Sequence, residues 1–141
     1  METLHSNDEV EIKASTLRVL VADDSPTARG ILRRALESSF GDCEVFEAVD
    51  GRSAMREMTK GKMDLIITDL EMPGVDGHRF LQTMQGNPLL KKKKVLVFSS
   101  AISPELKISL AGQPNIGFLS KPASAEGIAQ AVRDLLSSTP F

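Results

Sequence analysis

Five polar residues stand where apolar runs stop: Asp23 and Asp24 after LRVLVA, Asp69 after LIIT, Ser99 closing VLVFS and Lys121 after IGFLS. If those runs lie side by side, three carboxylates, a hydroxyl and an ammonium gather at one rim. Crowded carboxylates repel, and one of them takes up a proton unless a cation neutralises the group. Mg²⁺ suits the set, because it prefers oxygen ligands in octahedral geometry and is held by one or two carboxylates plus a phosphoryl oxygen. Calcium calls for more protein ligands than the pattern offers. Lys121 and Ser99 then supply the positive charge and the donor that hold phosphoryl oxygens. An aspartate can attack a phosphoryl group and carry it as an acyl phosphate. That makes Asp69 the candidate nucleophile and leaves the metal to Asp24 with Asp23.

The elements that must position these residues alternate. Leu17 to Ala22 is a short apolar run rich in β-branched residues and reads as a buried strand. Ser25 and Pro26 give an N-cap and a first-turn proline, after which Ala28, Ile31, Leu32, Ala35 and Leu36 recur at helical spacing. The same grammar predicts a strand over Cys43 to Val49, a helix around Ser53 to Met58, a strand over Leu65 to Thr68, a helix around Gly77 to Met84 and a strand over Val95 to Ser99. Ser103, Pro104 and Glu105 open a further helix, Ile116 to Ser120 is a fifth strand, and Ile128, Ala131, Val132, Leu135 and Leu136 mark a last helix face. Near-continuous apolar strands separated by helices predict an α/β fold, a doubly wound five-stranded parallel sheet covered on both faces. Ligands of such sheets bind beyond the carboxyl ends of the strands, where the strand order switches.

The 141 residues suit one domain, with a polar arm over 1–16, a folded unit over 17–136 and a short tail, SSTPF, over 137–141. Apolar residues at 41% and a charged fraction of 26% argue against a disordered chain. The net charge of −2 lacks the basic excess of a nucleic-acid binder, so no direct nucleic-acid partner is expected. A lone Cys43 rules out a disulfide framework and fits a reducing compartment. The arm carries Glu2, Asp8, Glu9 and Glu11 and has no apolar run, so it is no signal peptide, and no stretch approaches the roughly 20 apolar residues of a membrane span. No membrane contact and a cytoplasmic location are the expectations.

The motifs VLVADDSPTAR, LIITDLEMPGVDG, VLVFSS and GFLSKP, in this order, resemble the receiver domain of two-component response regulators, the CheY-like superfamily. The resemblance runs from about Leu17 to Leu136. It implies a (βα)5 flavodoxin-like fold with strand order 2-1-3-4-5. It further implies Asp69 as phosphoacceptor and Asp23, Asp24, Asp69 and the main-chain carbonyl of Glu71 as Mg²⁺ ligands. Ser99 falls at the switch hydroxyl, Ser100 at a main-chain donor to the phosphoryl group, Phe118 at the aromatic switch and Lys121 at the family lysine, with a cis bond before Pro122. The partners implied are a sensor histidine kinase or phosphotransfer protein upstream and an effector protein downstream. The chain is then a signalling phosphoacceptor that catalyses its own phosphotransfer, not an enzyme with turnover.

The sequence departs from the usual family pattern at Gln113, Pro114 and Asn115, where a Gly-Ala turn is common, and at Ser99, which lacks the methyl of threonine. Two other classes remain open: a receiver-like binding module that is never phosphorylated, and a phosphatase of the haloacid dehalogenase type. The second is disfavoured because its D-x-D nucleophile motif comes first in the chain, whereas here the acidic pair does and position 71 is Glu. Plainer readings cover the remaining features. Lys91 to Lys94 reads as a solvated loop, His5 and His78 as isolated surface residues, and Met55, Met58 and Met84 as core filling.

Overall fold

The computed structural model describes residues 16–71, 77–87, 91–110 and 112–137. The arm expected over 1–16 falls outside them except for Thr16, and the tail over 137–141 except for Ser137. His5 and the side chains of His78 and Met84 also lie outside the described residues.

Strands and helices alternate: β1 (Leu17–Ala22), α1 (Pro26–Ser39), β2 (Cys43–Ala48), α2 (Gly51–Lys60), β3 (Leu65–Thr68), α3 (Gly77–Gly86), β4 (Lys94–Ser99), α4 (Pro104–Ser109), β5 (Ile116–Ser120) and α5 (Ala125–Ser137). All neighbouring strands pair in parallel, in the order β2-β1-β3-β4-β5. This is the flavodoxin-like arrangement. The β1 strand lies between β2 and β3, so the winding reverses beside it and a crevice opens at the carboxyl ends of β1 and β3.

Side-chain alternation divides the core in two. Leu20, Ile66, Val95 and Val97 face α2, α3 and α4 through Ala54, Met58, Leu81 and Leu106. Val19, Val21, Ile67, Leu96 and Phe98 face α1 and α5 through Leu32, Leu36, Ile128 and Val132. Each fully buried aliphatic side chain is worth roughly 1.5–3 kcal/mol of transfer free energy, so this double-sided burial is what fixes the strand ends. Met58 is buried and Met55 packs against the same cluster.

Some boundaries differ from the sequence reading. The β2 strand stops at Ala48 because Val49 is half-exposed and its N–H turns to the Ser53 hydroxyl. The α2 helix begins at Gly51, two residues early, because Asp50 caps it: its carboxylate accepts from the Ser53 N–H at 2.7 Å while the Ser53 hydroxyl receives the Asp50 N–H. Lys94 belongs to β4, opposite Leu65, and not to a solvated loop. Its Nζ donates to the carbonyls of Leu135 and Leu136, both at 2.9 Å, which caps the end of α5. Lys93 similarly reaches the Met63 carbonyl at 3.0 Å.

Candidate functional site

Asp23, Asp69 and Lys121 each sit one step past a strand and continue its ladder, while Ser99 ends β4 and Asp24 follows Asp23. The Asp23 N–H donates to Ala48 O, the Asp69 N–H to Ala22 O and the Lys121 N–H to Ser99 O, each at 3.0 Å. Sheet hydrogen bonding thus sets their backbone positions before any side chain acts. Asp23 Oδ1 then accepts from the Ser25 N–H at 2.9 Å, a turn that leads into α1, where the Ser25 hydroxyl accepts from the Ala28 N–H. Asp69 Oδ1 accepts from the N–H groups of Leu70 at 2.6 Å and Glu71 at 3.1 Å. The Lys121–Pro122 peptide bond is cis.

Lys121 spans the crevice. Its Nζ lies 2.8 Å from Asp23 Oδ2 and 2.8 Å from Asp69 Oδ2, and 5.5 Å from the centre of the Phe98 ring beneath it. Asp23 and Asp69 are almost wholly buried, at 1% and 6% exposure, while Asp24 is exposed. Carboxylate oxygens of Asp23, Asp24 and Asp69 all lie within 4.8 Å of one another.

Burial pushes the Asp69 carboxyl up, but hydrogen bonds from Lys121 and Ser99 and from the Glu71 N–H outweigh it, and the group is held below the usual carboxylate range. Burial likewise pulls the Lys121 ammonium down, and hydrogen bonds to Asp23 and Asp69 reverse the effect and raise it above an ordinary lysine. Asp69 and Lys121 therefore face each other fully charged near neutral pH. One ammonium balances only part of the charge of three carboxylates. Clustered, partly exposed oxygen donors with negative charge left over fit a small hard dication.

Ser99 is fully buried and its Oγ also accepts from the Ala101 N–H at 3.1 Å. Ser100 and Glu71 are exposed beside it and beside Asp69. Phe118 pairs with Val97 and is partly buried against the α4 side of the sheet, the side that Ser99 also faces. Asp23, Asp24, Asp69, Ser99 and Lys121 thus lie at one rim with Glu71 and Ser100 next to it, whereas Phe118 sits mid-strand in β5. Two contributors were not legible in the sequence. Phe98 reads as plain core, yet lies under the ammonium, and Arg29 reads as a helix-surface cation, yet its Nη1 donates to the main-chain carbonyl of Asp23 at 2.7 Å. The one available signal for Arg29 is its place on the first turns of the helix that follows the acidic pair.

Residues 19–133, which hold the crevice and nearly all of the sheet, match the family described as response regulator receiver domain. The chain belongs to that family. The receiver is 32% identical over 121 residues to a probable chemotaxis protein CheY of Rhizobium etli, a match covering 84% of this chain and 92% of that protein. It is 40% identical over 97 residues to a gliding motility regulatory protein of Myxococcus xanthus, covering 67% of this chain but only 12% of that much longer protein. Among solved structures, the chemotaxis response regulator CheY4 of Vibrio cholerae superposes with a TM-score of 0.75 at 28% identity, covering 86% of this chain and 99% of that one. Receiver domains act in two-component signalling, interact with histidine kinases and effectors, and generally bind Mg²⁺ at an acidic pocket. Among the described residues no helix is long and apolar enough to cross a membrane.

Proposed function

We propose that this receiver takes a phosphoryl group onto Asp69 from the phosphohistidine of a sensor kinase or phosphotransfer protein and thereby changes a protein-binding face. The observation that carries the reading is the Asp69 carboxylate, buried, charged, 2.8 Å from Lys121 and within 4.8 Å of carboxylate oxygens of Asp23 and Asp24. An oxygen of Asp69 attacks phosphorus in line as the P–N bond breaks, and the leaving imidazole nitrogen keeps the electron pair and takes a proton from water. Such transfer needs positioning and charge stabilisation more than covalent help.

Asp23, Asp24, Asp69 and the Glu71 carbonyl would hold Mg²⁺, which supplies charge neutralisation at the phosphoryl oxygens when bound. Lys121 stays ammonium throughout and moves from the carboxylate toward the new phosphoryl oxygens. Ser99 exchanges its bond to Asp69 for one to a phosphoryl oxygen, with the Ser100 N–H as a further donor. That motion vacates space on the side of the sheet that Phe118 shares, and inward rotation of Phe118 carries the change to α4, β5 and α5. A full swing of a two-state face from 1:99 to 99:1 takes about 5.5 kcal/mol, so one new anion tied to lysine and metal supplies part of a population shift. The site can equally return to its resting charge when water hydrolyses the acyl phosphate.

Incubation with a small acyl phosphate and Mg²⁺, followed by intact-mass spectrometry, tests the reading. A single phosphoryl adduct that Asp69→Ala abolishes is the expected result. An unmodified chain, or an adduct that persists in Asp69→Ala, refutes it.

A further inference from the structure

The metal-side carboxylates pose a mechanical problem. Asp24 is exposed and carries the same charge as Asp23 and Asp69, yet its carboxylate lies within 4.8 Å of theirs, so repulsion favours its turning out to solvent. Something must hold the backbone that presents it. The Asp23 N–H is fixed by Ala48 O and the Asp23 side chain by the Ser25 N–H and Lys121, which leaves the Asp23 carbonyl. The guanidinium of Arg29, on the first turn of α1, donates to that oxygen at 2.7 Å.

That guanidinium is itself oriented. Arg29 Nε donates to Glu47 Oε1 at 2.8 Å, and the side chain is only 14% exposed. Glu47 is held from its other oxygen by Arg33, whose Nε and Nη2 lie 3.0 and 2.7 Å from Oε2. The planar fork of Arg29 therefore meets a fixed carboxylate on one edge and the Asp23 carbonyl on another, which a point-charge ammonium could not do. The Asp23 carbonyl belongs to the Asp23–Asp24 peptide, whose atoms are coplanar, so pinning the oxygen sets the direction in which the chain enters Asp24.

We propose that Arg29, oriented by Glu47, is a positioning residue of the acidic site: it holds the Asp23–Asp24 peptide so that the Asp24 carboxylate is presented beside Asp23 and Asp69. The inference rests on the proposed function for its metal but not for its geometry.

The sign of the effect separates this role from simple electrostatics. Removing a nearby cation strengthens the attraction of the site for a dication, whereas releasing the peptide weakens binding. Outer-shell partners of metal ligands typically contribute 10–100-fold in affinity, so Arg29→Met in the full chain is expected to bind Mg²⁺ at least about 10-fold more weakly by calorimetry. Arg33→Met frees one oxygen of Glu47 but leaves the Arg29 bonds to Glu47 Oε1 and to the Asp23 carbonyl in place, so it is expected to weaken Mg²⁺ binding by less than Arg29→Met does. In metal-free protein, Arg29→Met also exchanges the Ser25 amide faster, because that N–H rests on the Asp23 carboxylate. Arg29→Met with native or tighter Mg²⁺ binding overturns the proposal, as does a loss that Arg33→Met reproduces. A native chain that binds no Mg²⁺ refutes the metal reading of the site; Ser25 exchange then decides the clamp, and an unchanged rate in Arg29→Met refutes that as well.

Discussion

The ammonium of Lys121 lies 2.8 Å from the carboxylate of Asp69, although 52 residues separate the two in the chain. The pairing is made by the sheet: Lys121 extends the β4–β5 ladder, Asp69 extends the β1–β3 ladder, and β4 joins the two. With both main chains held by the ladders, only side-chain movement is needed when charge moves onto phosphorus.

Lys121→Met is expected to slow phosphoryl acceptance by about a hundredfold, the usual loss when one preorganised donor to a developing anion is removed. Lys121→Arg recovers only part, since a planar guanidinium cannot occupy the place of a compact ammonium between two carboxylates. The rate of adduct formation from a small acyl phosphate at saturating Mg²⁺ measures both. Equal rates in the native chain and Lys121→Met would mean the lysine is an ornament of the fold and not part of the transfer.

Mg²⁺ is expected to stabilise the folded chain, because the cluster of Asp23, Asp24 and Asp69 exists only when the sheet is formed. At about 100 times its dissociation constant the ion adds about 2.7 kcal/mol to the unfolding free energy. Asp24→Asn relieves repulsion in the metal-free state and should raise stability there while losing most of the response to Mg²⁺. Urea unfolding with Mg²⁺ and with a chelator, on both chains, reads the two effects. An equal response in Asp24→Asn would place the ion elsewhere.

Much of this was legible in the sequence for a definite physical reason. Parallel strands buried on both faces read as apolar runs, so the first polar residue after LRVLVA, LIIT and IGFLS marks the rim without any knowledge of contacts. What the pattern conceals is side chains that act outside their own element. Lys94 looks like loop because it is charged, yet the cation caps α5 while its main chain pairs with β3. Arg29 and Glu47 look like ordinary surface charges because their meeting depends on how α1 lies over β2. The start of α2 is hidden in the sequence because an Asp50 cap answered by Ser53 departs from the commoner pairing of Ser or Thr with Glu.

Asn115, in the turn where the sequence departs from its family, is expected to be a stability determinant. Its side-chain amide is buried and donates to the carbonyls of Lys91 at 2.8 Å and Lys93 at 2.7 Å, while its main-chain carbonyl receives the Val95 N–H. Asn115→Ala strips a donor from both lysine carbonyls and should cost about 1–3 kcal/mol by urea denaturation. Asn115→Asp should cost more than Asn115→Ala, because a carboxylate sets lone pairs against the same two oxygens. A neutral Asn115→Ala would mean that water serves those carbonyls equally well.

Glu47 should contribute to the acid limb of stability. Hydrogen bonds from Arg33 and then Arg29 hold its carboxyl below its ordinary value of 4.5, against a smaller opposing effect of burial. The unfolded chain thus binds the proton more tightly than the folded one, so stability from this group is complete above the unfolded value and is lost as pH falls through the lower folded value. The carboxylate is 35% exposed, and solvent screening limits the contribution to about 1 kcal/mol or less. The difference in unfolding free energy between the native chain and Glu47→Gln should be largest near neutrality, shrink below pH 4.5 and diminish with added salt. A difference that stays constant across that range would trace the effect to the shape of the side chain, and the ion pairs that orient Arg29 would then carry no measurable charge energy.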